Sequence, residues 1–213
     1  MDLVGDKWTL LIVRDLAAGP RRFVELQRVL PGISTEQLRS RLNRMVADGM
    51  LTRKRYREVP PRVDYELTDR ARELMPILGE LARWGYEWAW SSPREQERVD
   101  LGAIFRLAPG LVRASPSSVG TVEFIVTDRK QGGGAASYVL AACDGQVSIE
   151  EHPAPNPDAR VEGTLEAWIH AFSPEGDRGE LEITGNETLA TELLDGLALS
   201  ETRAGASHAT AAA

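Results

Sequence analysis

The sequence predicts an α+β protein of two domains: a small helical domain finished by a hairpin, then a larger acidic domain whose helices cover a sheet. Three observations lead there. Residues 1–98 hold 18 basic and 15 acidic side chains and residues 99–213 hold 7 and 17, so a basic half precedes an acidic one in a chain of net charge −7. Apolar spacing changes with the charge, from three- and four-residue steps to alternation. Between the halves, Ser-Ser-Pro-Arg-Glu-Gln-Glu-Arg at 91–98 is polar and interrupted by proline, as expected of a linker. The expected domains are 1–90 and 99–199, with 200–213, small, polar and low in complexity, as a disordered tail.

Residues 6–16 form an apolar helix candidate closed by Gly19-Pro20, and Phe23, Leu26 and Leu30 space a second. Ser34 and Thr35 supply N-cap hydroxyls for a third, whose Leu38, Leu42 and Met45 make one apolar stripe. At about 100° per residue the opposite face carries Glu36, Gln37, Ser40, Asn43 and Arg44, with Arg39 and Arg41 on the flanks. Gly49 stops this helix, and strands over 53–57 and 63–67 enclose a Val59-Pro60-Pro61-Arg62 tip. Helix, helix and basic hairpin in that order make a winged helix.

From Arg21 to Arg62 there are 11 Lys or Arg against 4 Asp or Glu, a local excess that suggests a phosphate footprint. The plainer alternative is a solvated arginine face on a helical hairpin. As DNA-binding candidates, Gln37, Ser40, Asn43 and Arg44 suit base edges, since amide and guanidinium groups can pair bidentately with adenine or guanine. Thr35, Arg39, Arg41, Arg57 and Arg62 suit phosphates.

One long helix is expected from Thr68-Asp69 onward, carrying Leu74, Ile77, Leu78, Leu81, Trp84, Tyr86, Trp88 and Trp90. So apolar a helix needs cover, and a second copy is the favoured partner. A homodimer would set two recognition helices about 34 Å apart, one turn of duplex DNA.

In the acidic half, 101–107 is an apolar helix candidate. Strands follow at 121–128 and 137–140 around a Gly132-Gly133-Gly134 tip, and Asp144-Gly145 is a tight turn into 146–150. A further strand covers 159–163. Thr164 caps a helix bearing Leu165, Trp168, Ile169 and Phe172, and Asn186 caps another bearing Leu189, Leu193, Leu194 and Leu197.

No apolar run reaches the roughly 18–20 residues that span a bilayer, so a cytoplasmic protein without membrane contact is expected. The single Cys143, beside Ala141 and Ala142, is expected as a small buried thiol, and His152, His170 and His208 are scattered, so no metal site or cofactor is expected. The Gly-rich loop lacks the Gly-Lys-Ser/Thr ending of a phosphate cradle. Asp144, Glu150, Glu151 and His152 fit a solvated hairpin face, and no enzymatic function is expected.

Val4-Gly5-Asp6-Lys7-Trp8-Thr9-Leu10-Leu11-Ile12, Gly19-Pro20-Arg21-Arg22-Phe23, Leu30-Pro31-Gly32-Ile33-Ser34 and Tyr65-Glu66-Leu67-Thr68 resemble the HxlR branch of the MarR-like winged-helix regulators. The resemblance implies a homodimeric bacterial transcription regulator binding double-stranded DNA, with 34–48 in the major groove and the 57–62 tip along the backbone or minor groove. Members carry a further N-terminal segment, often with a sensing cysteine. This chain starts just inside it, so thiol sensing is not expected.

The second half resembles the sterol-carrier-protein lipid-binding domain through Asp128, Asp144-Gly145, Ala159-Arg160-Val161-Glu162-Gly163-Thr164, the helix around Trp168 and Leu181-Glu182-Ile183-Thr184-Gly185-Asn186. That resemblance implies an apolar tunnel for a hydrophobic small-molecule effector, with Phe105, Phe124, Trp168, Phe172, Leu189 and Leu193 as candidate lining. A filled core is the plain alternative for the same side chains. The functional expectation is a ligand-responsive dimeric regulator on a pseudo-palindromic operator. A hydrophobic-molecule carrier that uses its winged helix for protein contacts is the alternative. A third is an acidic domain that only dimerises or repels DNA.

Overall fold

Asp6 starts the first helix: its carboxylate accepts from the backbone N–H of Trp8 (2.9 Å) and Thr9 (3.1 Å) and from the Thr9 hydroxyl (2.5 Å). Burial resists ionisation of Asp6, but these hydrogen bonds and the nearby Arg41 charge hold its pKa below the usual aspartate value. In the computed structural model, which describes residues 3–57, 62–94, 97, 99–127 and 135–198, α1 spans Thr9–Leu16 and buries Ile12, Val13 and Leu16 completely. A two-residue strand, β1 (Arg21–Arg22), leads into α2 (Phe23–Val29).

The third helix, α3 (Thr35–Ala47), begins with a capping box: Gln37 N–H donates to Ser34 Oγ (3.1 Å) and Ser34 N–H to Gln37 Oε1 (3.0 Å). Ser34 is therefore the cap, and Thr35 instead accepts from Gln27 Nε2 (2.8 Å), tying α2 to α3. At the other end Met50 N–H bonds Met45 O and Gly49 N–H bonds Val46 O, with Gly49 at φ +70°. That is a Schellman stop, which needs the left-handed conformation glycine adopts freely.

Strands β2 (Leu51–Tyr56) and β3 (Arg62–Leu67) pair antiparallel, and β1 pairs with the other side of β3. The expected tip at Val59-Pro60-Pro61 lies outside the described residues. β1 was not expected, since two residues are too few to show alternation.

The long helix expected after the wing is broken in two, α4 (Asp69–Arg72) and α5 (Met75–Ala89). Pro76 is the reason. It has no N–H to continue the ladder, but fits the first turn of a new helix. Trp90 is extended and lies beyond α5. Of the helix expected at 101–107 the structure keeps α6 (Gly102–Phe105), and a further short helix, α7 (Ala108–Leu111), follows it with Pro109 in its first turn.

The second core lies between α8 (Leu165–Ala171), α9 (Glu187–Leu197) and a mixed sheet of order β6-β5-β4-β7-β8. Its strands are β4 (Gly120–Thr127), β5 (Ala136–Cys143), β6 (Gln146–Glu150), β7 (Ala159–Thr164) and β8 (Glu182–Gly185). β4 and β7 run parallel and the other pairs antiparallel. Asp144 (φ +51°) and Gly145 (φ +75°) make the two-residue turn read from sequence.

Alternation along β5 buries Ala142 and turns Cys143 outward, so this thiol is exposed, contrary to expectation. The Gly132-Gly133-Gly134 tip, Asp128 and residues 199–213 lie outside the described residues, as do 95, 96 and 98 of the expected linker. Positions 91–94 and 97 carry no helix or strand. No helix among the described residues is long and apolar enough to cross a membrane.

The two cores meet tightly. Arg106, just after α6 and only 3% exposed, reaches Asp15 of α1 (3.3 Å), Asp100 (3.2 Å) and Glu151 (3.2 Å). Glu151 also pairs with Arg21 of β1, whose Nε donates to Asp15 O (2.7 Å). Beside this cluster α5 crosses α7 with backbone against backbone: a Cβ on Gly110 would stand 2.0 Å from Met75 O.

Candidate nucleic-acid interface

The face of α3 turned away from Leu38, Leu42 and Met45 is exposed at Glu36, Gln37, Arg39, Ser40, Asn43 and Arg44. Ser40 and Asn43 sit one turn apart on it, and neither side chain is engaged elsewhere among the described residues. Arg39 pairs with Glu36 (3.3 Å) and Arg44 with Asp48 (3.7 Å), both in the open, where such pairs exchange readily for a phosphate or base edge.

Three candidates are committed inside the protein. Gln37 spends its amide oxygen on the capping box. Arg41 turns back to Asp6 (3.1 Å) and is half-buried against the start of α1. Arg62 clamps the buried Asp64, with Nε at 2.9 and 2.8 Å from the two carboxylate oxygens, and lies over the Tyr56 ring at 5.2 Å. The Arg41 contact ties α3 to α1, and the Arg62 contacts lie within the wing itself. Arg57 is exposed at the end of β2.

Arg53 was missed as a site residue. It is exposed on β2 and, with Arg39, Asn43, Phe23, Val63 and Tyr65, lines a hollow of about 300 Å³ between α3 and the wing. The signal was present: alternation along β2 puts Arg53 and Arg55 on one side, with Lys54 on the other beside Glu66 (2.5 Å). The Glu66 hydrogen bond, then its charge, raises the Lys54 pKa. What sequence could not show is that the Arg53 side faces α3. Two guanidiniums and an amide around one hollow can contact a phosphate and an adjacent base edge together.

The six apolar candidates of the second half are all buried. Phe105 stacks on Tyr138 (4.7 Å between centroids) and meets Trp168 edge-on (5.2 Å) and Phe172 (5.9 Å), while Phe124 sits 5.6 Å away. Leu189 and Leu193 close the cluster from α9. Trp168 Nε1 donates to Ile125 O (2.9 Å), which fixes the ring. Burial, then the Glu151 charge, pushes the Tyr138 hydroxyl up to about 12, so it stays protonated at neutral pH. Among the described residues no cluster of His, Cys, Asp or Glu is placed to hold a metal ion.

A model of the family described as HxlR-like helix-turn-helix matches residues 3–93. An uncharacterised HTH-type transcriptional regulator of Halalkalibacterium halodurans is 46% identical over 86 residues, 40% of this chain and 76% of that protein. YkvN of Bacillus subtilis, also an uncharacterised HTH-type transcriptional regulator, is 38% identical over 96 residues, 45% of this chain and 81% of YkvN. A Synechocystis regulator of the same description is 42% identical over 88 residues, but the chain spans only 65% of its length. Among solved structures, a chain assigned to the MarR family from Porphyromonas gingivalis W83 is 40% identical, with 41% of this chain and 86% of that one covered and a TM-score of 0.40. The redox regulator HypR in its reduced form is 36% identical, with 40% and 85% covered and a TM-score of 0.39.

Proposed function

The chain belongs, through residues 3–93, to the HxlR-like helix-turn-helix family, and from that premise we propose that it is a homodimeric transcription regulator. Two winged helices read a pseudo-palindromic operator, and the C-terminal domain relays a small-molecule signal to them. The observation that carries DNA recognition is the exposed α3 face of Arg39, Ser40, Asn43 and Arg44 beside the Arg53 strand of the wing. Ser40, Asn43 and Arg44 read bases, whereas Thr35, Arg39, Arg53 and Arg57 hold phosphates.

Dimerisation rests on α5. Ile77 (52% exposed), Leu81 (48%), Trp84 (62%) and Trp88 (70%) recur at four-, three- and four-residue steps and form one uncovered apolar stripe. A stripe of this size and composition on a soluble helix marks a contact surface. A second copy offers the same stripe back, as a two-fold interface requires. A hydrophobic effector within the C-terminal core would have to part the Phe105, Tyr138, Trp168 and Phe172 stack, so its entry would be coupled to repacking of that sheet.

Two measurements test this reading. In fluorescence anisotropy with a bound duplex, Asn43→Ala is expected to cost about 1–3 kcal/mol and to relax preference at one base pair. Arg53→Ala should weaken all sequences alike and lower the salt slope by about 1. Salt-independent binding, or no duplex binding, would overturn the proposal and favour the carrier alternative. In sedimentation analysis the pair Trp84→Asp and Trp88→Asp should convert a dimer to a folded monomer. If it sediments as the parent does, α5 is not the interface.

A further inference from the structure

A groove of about 860 Å³ lies between the two domains. One wall is the 17–20 turn, the end of β3 and the start of α5, and the other is Pro109, Val112, Arg113 and β6. Its size is within the range of small-molecule sites. Most of its lining is apolar, including Ala17, Pro20, Leu67, Met75, Val112 and Val147. Its charges are unequal in availability. Glu66 is taken by Lys54 and Glu150 by His152 (2.6 Å), and Glu73 has no cationic partner among the described residues. Arg72 and Arg113, exposed on opposite walls, have no carboxylate partner among the described residues.

The wall at β6 adds polar donors. Cys143 and Gln146 flank the two-residue turn, so the odd positions Val147 and Ile149 are non-hydrogen-bonded positions of the β5–β6 pair. Their N–H groups point away from β5, at the free edge of the sheet.

We propose that this groove binds an amphipathic carboxylate, its apolar body on the Ala17, Pro20, Met75 and Val147 floor and its charge between Arg72 and Arg113. The site is distinct from the aromatic core of the C-terminal domain. Its regulatory meaning rests on the reading of the chain as a DNA-binding regulator. The walls are the strand that ends the wing and the turn that enters β1 and α2, so an occupant changes the contact between the domains where recognition is positioned. A ligand shifts DNA affinity only through such differential contact.

Decanoate is the probe, with decanol as its uncharged counterpart, titrated calorimetrically into the full chain. The expected result is saturable one-to-one uptake of decanoate, at least tenfold weaker uptake of decanol, and at least tenfold weakening by Arg72→Gln with Arg113→Gln. Both arginines are exposed, so the variant should fold as the parent does, which circular dichroism checks. Equal affinity for decanol, or uptake indifferent to the arginine pair, would overturn the proposal and place the molecule in the aromatic core or on the surface. Absence of saturable uptake would overturn it also. Duplex binding is recorded separately on the same samples: failure there sinks the regulator reading and leaves the groove standing, whereas intact duplex binding without decanoate uptake sinks only the groove.

Discussion

Arg106→Met is expected to destabilise the protein by about 3–5 kcal/mol, the cost of removing one partner from a buried ionic cluster. Asp15 is fully buried, and its carboxylate is held by Arg14 (3.0 Å) and Arg106 (3.3 Å). Burial already outweighs these partners and raises the Asp15 pKa. Burial also opposes the charge on Arg106, but the Glu151 hydrogen bond and charge, then Asp100 and Asp15, push its pKa above the ordinary arginine value. The guanidinium is therefore a permanent cation, and its loss leaves the buried Asp15 with Arg14 alone and Glu151 with Arg21 alone.

Because the folded pKa of Asp15 lies above its unfolded value, the native state holds this proton longer. Its contribution to stability is then fully present below the unfolded pKa and is lost as pH rises through the folded one. Removing Arg106 enlarges that loss, so the penalty of Arg106→Met should shrink as pH falls toward 4. Urea denaturation at neutral and acidic pH measures both. Asp15→Asn added to Arg106→Met should recover part of the loss, since it removes a buried charge that Arg14 alone would then balance. A penalty below about 1 kcal/mol at neutral pH, in the range of exposed pairs, would show that water reaches the cluster.

Gly110→Ala is the second large effect expected, about 3 kcal/mol, or roughly 6–12 °C in Tm for a chain of this size. The added methyl would meet the Met75 carbonyl at 2.0 Å and its carbon at 2.7 Å. These are backbone atoms, so no side chain can swing aside, and α7 must separate from α5. Gly79→Ala probes the same contact from the other helix, meeting Gly110 O at 2.4 Å. The double variant should cost less than the sum, because the first methyl already parts the helices. Gly85→Ala is the control. Nothing lies within 4 Å of its Cβ position, and a helical alanine should stabilise by about 1 kcal/mol. If Gly110→Ala unfolds with the parent Tm, the close crossing of α5 and α7 does not exist in solution.

Much of the recognition domain was legible because its signals are local. Ser34 three residues before Gln37, the Leu38, Leu42 and Met45 stripe, and Gly49 as a stop each act within one helix, and each is found in place. The Asp144-Gly145 turn and the caps at Thr164 and Asn186 are local as well. Where local evidence conflicted, the reading failed. Apolar spacing ran through Pro76 as if one helix continued, but the missing N–H broke it. For Cys143 the small neighbours suggested burial, while the two-residue period of the strand decided exposure.

Partnership between distant residues was not legible. Arg41 looks in sequence like Arg39, yet the fold brings Asp6 to it from 35 positions away. Arg53 gains its place beside α3 only when the wing folds back.

The sequence by itself determined which segments become helices and strands, where most of them stop, and which half is basic, since propensity, capping and charge are properties of neighbours along the chain. Tertiary structure alone decided that Arg106 joins the halves, that α5 leaves its tryptophans uncovered, and that a groove opens beside β6. Those outcomes depend on which surfaces meet, and contacts between residues as far apart as Asp15 and Arg106 leave no periodic trace in a single sequence.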